Sequence, residues 1–405
     1  VIRRTRVGII GAGPAGMLVA TILQRAGIDC VVVERRDRAY VEQRARGGTI
    51  EYRVVELLRR HGLAGNLLAT GAVEDRIEFR MGGRRYPISY EPLAAGRTHY
   101  IYPQQFLVRD LIEIFLAAGG ELRFDTPARA VTGIDGARPR ILLGPADEAG
   151  TDPGGGPGTA AELECEVVVA CDGEYGVGRR SLPADVLTTY EHRYDYAWLA
   201  VLAQAPPSSD CVINAVHEAG SCVHVRRTPE ISRFYLQCPV TDTPADWPAD
   251  RIWKEVRRRL TIDEAWELHE GPILQTGTVR MRSLVCAPMQ YGSLFLAGDA
   301  AHVVPPVGGK GLNIALADAE ELALALIERF RGDGGRRLDG YTAHRLPRIW
   351  RIQEFVHWMM DLVNTPGLGT ATAPFLHRIQ RARLERLMAS PAYTAAFLED
   401  YIGWE

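Results

Sequence analysis

The chain is predicted to be an α/β protein in which a parallel-sheet domain is interrupted by an inserted mixed or antiparallel β-sheet and followed by C-terminal helices. Three observations predict this. Residues 6–34, RVGIIGAGPAGMLVATILQRAGIDCVVVE, run strand, glycine turn, helix, strand, the order of a βαβ unit. Between about 185 and 280 the pattern becomes short alternating runs such as YAWLAVLAQ, SCVHVRR and SRFYLQCPV, the period of antiparallel strands. After residue 292 strand and helix return, with SLFLAGDA leading to GLNIALADAEELALALIERF. The expected boundaries are 1–184 and 281–340 for the two parts of the first domain, 185–280 for the inserted sheet and 341–405 for the C-terminal helices.

Other elements follow in order. Residues 51–66 and 104–118 carry Leu, Ile and Val at helical spacing. ELECEVVVACDG is a second strand ending in an acid. It follows PADEAGTDPGGGPGTA, residues 145–160, whose Gly, Pro and Asp content predicts a long hairpin tip. Helices are expected around 341–363 and 374–389. The latter, FLHRIQRARLERLMAS, is amphipathic and could form a homodimer face or pack within the chain.

Composition narrows the function. A 405-residue chain with 46% hydrophobic residues, 24% charged residues and a net charge of −3 has no global attraction to nucleic acid or anionic membrane. No apolar run approaches the roughly 20 residues that span a bilayer, and the first strand begins with no cleavage pattern before it, so a cytoplasmic protein is expected. Seven cysteines (Cys30, Cys165, Cys171, Cys211, Cys222, Cys238, Cys286), without CxxC spacing, read as reduced core thiols and not as a disulfide framework or metal site.

The chemistry starts at GAGPAG. Gly11, Gly13 and Gly16, with Pro14 and Ala15 between them, let backbone N–H groups close on a pyrophosphate at a helix N-terminus. Glu34 ends the next strand, where a carboxylate accepts from a ribose diol. NAD and FAD are both compatible with these residues. The distant run FLAGDAAHVVPPVGGKGLN separates them. Asp299 at a strand end suits a hydroxylated ribityl chain, which NAD lacks. The glycines before Gly311, Leu312 and Asn313 set another helix N-terminus against an acceptor-rich ring that becomes anionic on reduction. The expected cofactor is therefore FAD.

A third element, CDGEYGVGRRSLP, again ends a strand with an acid and a glycine. With GAGPAG and Glu34, Asp172-Gly173 and Arg179, Gly298 to His302, Pro305-Pro306, GGKGLN and the ending DYIGW, the chain resembles the para-hydroxybenzoate hydroxylase-like group A FAD-dependent aromatic monooxygenases over nearly its whole length. The resemblance implies a GR2-type Rossmann-like FAD domain and an NADPH- or NADH-dependent hydroxylase. In that family a flavin C4a-hydroperoxide delivers one oxygen atom of O2 to the ring of an aromatic acid.

Carried over residue by residue, the resemblance places Arg46 near the FAD pyrophosphate, Gln104 and Asp299 at the flavin, and Arg35, Tyr40 and Arg44 at NADPH, with Arg36 and Arg38 as solvated charges. It puts Arg233 at a position linked to flavin placement. Arg227 and Tyr235 would hold the substrate carboxylate, and a guanidinium fork suits that group. Pro306 would bring its carbonyl near the ring hydroxyl, and Tyr401 would be a pocket tyrosine.

Three positions depart from the family. Asn214 stands where the family has the tyrosine that accepts from the phenol, Val225 where a serine holds the carboxylate, and Glu74 where a histidine ends a proton relay. The relay is expected to be dismantled and the substrate activated by its own substituent. Asn214 can donate and accept at an aminophenol edge, so 3-amino-4-hydroxybenzoate is the expected substrate. The alternatives are a 4-hydroxybenzoate 3-monooxygenase proper, a reductase or halogenase on the same scaffold, and a non-catalytic FAD-binding protein. The WxWxIP run expected of a halogenase does not occur. His217 and His224 are expected to be structural, His302 to bond the backbone locally, and Trp198, Trp358 and Trp404 to pack.

Overall fold

Val7–Ile10, Cys30–Val33 and Val167–Ala170 are apolar or glycine at every position, which is what strands covered on both faces require. In the computed structural model, which describes residues 2–91, 97–144, 161–365 and 367–403, they form the centre of a six-stranded sheet. The order is Gln290–Tyr291, Leu294–Leu296, Val167–Ala170, Val7–Ile10, Cys30–Val33, Glu121–Arg123, parallel except for the first pair. The expected hairpin tip at 145–160 and Trp404 lie outside the described residues.

The helix Pro14–Arg25 packs against the helices Gln104–Ala117 and Lys310–Arg331. A four-stranded sheet, Ile2–Arg4, Glu162–Glu164, Arg140–Leu143 and Ala128–Thr132, packs over Gly8. A Cβ there would stand 2.4 Å from Cys165 Sγ, so only glycine permits that approach.

The inserted sheet has eight strands: His302–Val303, Ile273–Ala287, Thr188–Ala203, Ile231–Pro239, Cys222–Thr228, Val212–Val216, Arg76–Met81 and Arg84–Ser89. It draws two strands from before residue 185, because Arg76–Met81 pairs in parallel with Val212–Val216 and brings its hairpin partner along. One face, with Ala197, Leu199, Val201, Ile213, Cys222, Phe234 and Leu236, packs against the helix Ala249–Leu260. Toward the other face lie the helices Tyr341–Val363, Ala373–Ala389 and Pro391–Ile402, through Phe355, Met359, Met360, Phe397 and Tyr401. A small antiparallel sheet, Thr49–Ile50, His99–Ile101 and Ala72–Glu74, completes the fold.

Candidate active site

Side chains alternate along a strand, so one face of the inserted sheet carries a consistent set. Trp198, Ala200 and Leu202, Asn214, Val223, Val225 and Arg227, and Arg233 and Tyr235 all open on one continuous cavity of about 1850 Å³. Their sequence neighbours fill the opposite core. Register aligns them across strands: Asn214 faces Val223, Val223 faces Tyr235, and Tyr235 faces Ala200. A β-bulge between Arg226 and Thr228 leaves Arg227 as the extra residue at the strand end.

Arg227 is only 7% exposed, and its guanidinium donates to the Arg46 carbonyl across the cavity mouth. Burial, and then the neighbouring Arg233, lower its pKa to about 10. Arg233 Nε is shielded and unpartnered, and its Nη1 lies 3.4 Å from Tyr235 Oη. Among the described residues no carboxylate lies within salt-bridge distance of either guanidinium. Two adjacent cations thus face the cavity without an ion-pair partner among the described residues, which suits an anionic ligand. The Asn214 amide, 4% exposed, also lines the cavity and makes no hydrogen bond to a described residue.

The same cavity reaches the glycine turn. Gly11, Gly13, Pro14, Ala15 and Glu34 line it, as do Arg35, Arg36, Tyr40, Arg44, Arg46, Gln104, Asp172 and Asp299. The helix Pro14–Arg25 starts at Gly13 without a side-chain cap, leaving its first N–H groups for a ligand. Gly11 has φ +102°, and a Cβ on it would stand 2.5 Å from the Cys171 carbonyl; a Cβ on Gly16 would stand 2.0 Å from the Gly11 carbonyl. A Cβ on Gly13 would meet nothing within 4 Å, which leaves room for a ligand. The Glu34 carboxylate accepts from Ala12 N at 2.9 Å and Arg36 N at 3.0 Å, so it braces the turn and keeps lone pairs for a diol.

A second uncapped helix, Lys310–Arg331, opens on the cavity through Gly308, Gly309, Gly311 and Leu312, after Pro305 and Pro306. Gly308 and Gly309 have φ near +67° and +66°. Asp299, on the turn after Leu294–Leu296, is enclosed by protein yet open to the cavity, and burial raises its pKa. Two bare helix N-termini, an acid at each strand end and a long cavity fit a dinucleotide that carries a ring and a polyol.

Comparison with known proteins agrees with this geometry. Residues 4–356 match the family described as "FAD binding domain". The chain is 34% identical to p-hydroxybenzoate hydroxylase of Acinetobacter baylyi over 400 residues, covering 99% of this chain and 95% of that protein. The chain belongs to the group A FAD-dependent aromatic hydroxylases. It is therefore a flavoprotein oxidoreductase whose cofactor is FAD. It is also 28% identical to a 3-amino-4-hydroxybenzoate 2-monooxygenase of Streptomyces platensis over 364 residues, covering 86% of each chain. Its fold matches p-nitrophenol 4-monooxygenase of Pseudomonas putida with a TM-score of 0.80 at 19% identity, covering 100% of both chains.

Within this hydroxylase, several of the expected site residues stand behind the cavity wall. Gly16 shapes the turn from beneath. Asn313, 2% exposed, accepts from Glu51 N at 2.9 Å and donates to the Thr49 carbonyl at 3.0 Å and the Gly309 carbonyl at 2.9 Å, clamping the second helix start. Asp172 lines the cavity but also accepts from Gly178 N at 2.8 Å, and burial raises its pKa. Arg179 donates to the Glu174 carbonyl and holds that loop. Arg36 lies on the rim with its Cζ 5.0 Å from the Tyr40 ring, whereas Arg38 pairs with Glu42 at 2.6 Å. Burial and the nearby Arg46 lower the Arg44 pKa.

Other functional residues carried little sequence signal. His302 pairs with a side chain and not the backbone. Its Nε2 meets Asp318 Oδ2 at 2.5 Å, and the same carboxylate accepts from Arg345 Nε at 2.7 Å and Gly298 N at 3.1 Å. Burial pushes the Asp318 carboxyl up, but His302 and Arg345 outweigh it and hold the pKa low. A charged network thus fixes the Asp299 turn from behind. Lys310, 1% exposed, bonds Glu51 at 2.9 Å and the Tyr401 carbonyl at 3.0 Å, tying the helix start to the C-terminal helix. Trp198 lines the cavity, its indole N–H donating to Asn364 Oδ1 at 2.7 Å. His224 accepts from Ser208 N at 3.2 Å and His217 from Ala219 N at 2.9 Å, both away from the cavity.

Glu74 is 2% exposed, and burial raises its pKa to about 8 although one oxygen accepts from Val212 N at 2.7 Å. An acid whose folded pKa exceeds its unfolded value binds its proton more tightly when folded. The associated stability is present at low pH and lost as pH rises from about 4.5 through 8. Relative to wild type, Glu74→Gln should therefore gain stability across that window, on the order of 5 kcal/mol above pH 8. Urea unfolding at pH 5 and pH 9 measures the difference, and an equal effect at both values would contradict it.

Proposed function

We propose that the protein hydroxylates a substituted hydroxybenzoate, with 3-amino-4-hydroxybenzoate as the expected substrate and NADPH as reductant. The observation that carries this reading is the pair Arg227 and Arg233, without a carboxylate partner among the described residues, on the wall of the cavity that also receives both bare helix N-termini. Bound FAD supplies hydride acceptance and oxygen activation. The chain's own residues bind, orient and exclude water.

Gly11, Gly13, Pro14 and Ala15 would hold the pyrophosphate, with Glu34 at the ribose and Arg46 nearby. Asp299 would hold the ribityl chain, with Gln104, Gly311 and Leu312 at the ring. The Arg227 fork takes the substrate carboxylate, with Tyr235 beside it, while Val223 and Val225 provide an apolar wall. Asn214 offers a donor and an acceptor to adjacent amino and hydroxyl groups, and the Pro306 turn and Tyr401 close the far end. Arg35, Arg44 and Tyr40 at the rim suit the 2′-phosphate of NADPH, so NADPH is expected to be oxidised faster than NADH.

The relative that acts on 3-amino-4-hydroxybenzoate supports the amino-substituted acid, and the relative named for p-hydroxybenzoate supports the plain acid. Asn214 favours the former because a carboxamide cannot act as a base. A benzoate panel tests this by measuring NADPH consumed against hydroxylated product formed. The amino-substituted acid should couple more tightly; full coupling with 4-hydroxybenzoate alone would contradict the assignment.

A further inference from the structure

Behind the inserted sheet, the C-terminal end of the helix Tyr341–Val363 carries a buried polar junction that the proposed chemistry does not use. Asn364 follows that helix in extended conformation, with φ −105° and ψ 152°. Its Nδ2 donates to the Met360 carbonyl at 3.2 Å, one of the acceptors a helix end leaves open, and this turns Oδ1 toward the sheet. There Oδ1 accepts from Trp198 Nε1 at 2.7 Å and from Ser221 Oγ at 2.9 Å, which uses both of its lone pairs. Other side chains already hold the backbone of this segment. Gln237 donates to the Thr365 carbonyl at 2.8 Å and accepts from Thr365 N at 3.2 Å, while Gln380 donates to the Asn364 carbonyl at 2.6 Å. The Asn364 oxygen is therefore not needed to fix the chain end. What it adds is a fixed partner for the indole.

Trp198 is where this junction meets the cavity. Its ring packs on Tyr235 with centroids 5.2 Å apart and planes at 42°, and the Arg233 Cζ lies 5.8 Å from the Tyr235 ring. The outer torsion of a tryptophan side chain is broad, and a face that borders a cavity has no neighbouring atoms to restrain it. The hydrogen bond at the N–H end thus sets the tilt of the indole.

We infer that Asn364 is a positioning residue for the carboxylate end of the substrate site, acting through the Trp198 indole on Tyr235 and Arg233. This rests on the hydroxybenzoate reading. Without the Oδ1 acceptor the buried indole N–H has no partner, and the ring turns to reach water in the cavity. Tyr235 then loses the surface it packs on, and its hydroxyl leaves the place where it meets the carboxylate.

The test titrates the flavin absorbance of the FAD-loaded protein with benzoate. Asn364→Leu, which keeps the side-chain size without the acceptor, should weaken binding about tenfold, and Trp198→Phe, which removes the indole N–H, should do the same. Adding Asn364→Leu to Trp198→Phe should change the affinity by less than about twofold, because the N–H it serves is already gone. Gln380→Leu unties the same segment without touching the indole, so it should lower the melting temperature and leave benzoate affinity within about twofold. A Gln380→Leu loss equal to that of Asn364→Leu would overturn the inference, as would equal effects of Asn364→Leu in the wild-type and Trp198→Phe backgrounds. Unchanged benzoate affinity in Trp198→Phe would overturn it even if Asn364→Leu did not fold. Failure of wild type to bind any aromatic acid would overturn the hydroxybenzoate reading and this inference with it.

Discussion

Arg227→Ala is expected to weaken binding of 4-hydroxybenzoate and its amino derivative by about 100- to 1000-fold, equivalent to about 3–4 kcal/mol, while FAD content is retained. The magnitude follows from where the guanidinium sits. It is already desolvated, so a carboxylate that meets it gains the pair without a further cost on the protein side. Arg227→Lys should recover only part of the loss, because an ammonium provides a point charge and not a planar fork. Titrating the flavin absorbance with each acid measures this. An affinity for neutral phenols that fell equally would show that Arg227 shapes the cavity without reading the carboxylate.

The second large effect separates two glycines of one turn. Gly16→Ala forces a Cβ into the Gly11 carbonyl at 2.0 Å, so the turn must open. The expected outcome is colourless protein with a lowered melting temperature, at a cost of about 2–3 kcal/mol. Gly13→Ala meets no protein atom and has φ −72°, so the apoprotein should melt as wild type does. Its methyl group nevertheless occupies the approach to the bare helix start, and FAD affinity should fall at least tenfold. Isothermal titration of both apoproteins with FAD, beside their melting curves, checks the contrast. Equal melting losses would contradict it.

The parts legible in the sequence are those with short-range causes. The GAGPAG turn, Glu34 at its strand end and the Asp299 turn each depend on neighbours a few residues away, and alternation along YAWLAVLAQ predicts a sheet before any partner is known. Residues whose roles depend on distant pairing were not legible. Asp318 reads as one polar position in an amphipathic helix until His302 and Arg345 close on it. Glu74 and His99 are 25 positions apart and become neighbours only through strand register. Arg76–Ser89 contains two unremarkable strands whose sheet is decided by parallel pairing with Val212–Val216. Trp198 reads as packing because its partner, Asn364, comes from the C-terminal helical region.

One cavity joins the two bare helix starts to the Arg227 guanidinium on the inserted sheet, where the substrate carboxylate is proposed to bind. A single-turnover reaction under isotopically heavy O2, with reduced FAD-loaded protein and each hydroxybenzoate in turn, tests it most directly. One heavy oxygen atom is expected in the ring product of an acid-bearing substrate, and its loss in Arg227→Ala. Hydrogen peroxide as the sole oxygen product with every aromatic acid would contradict it.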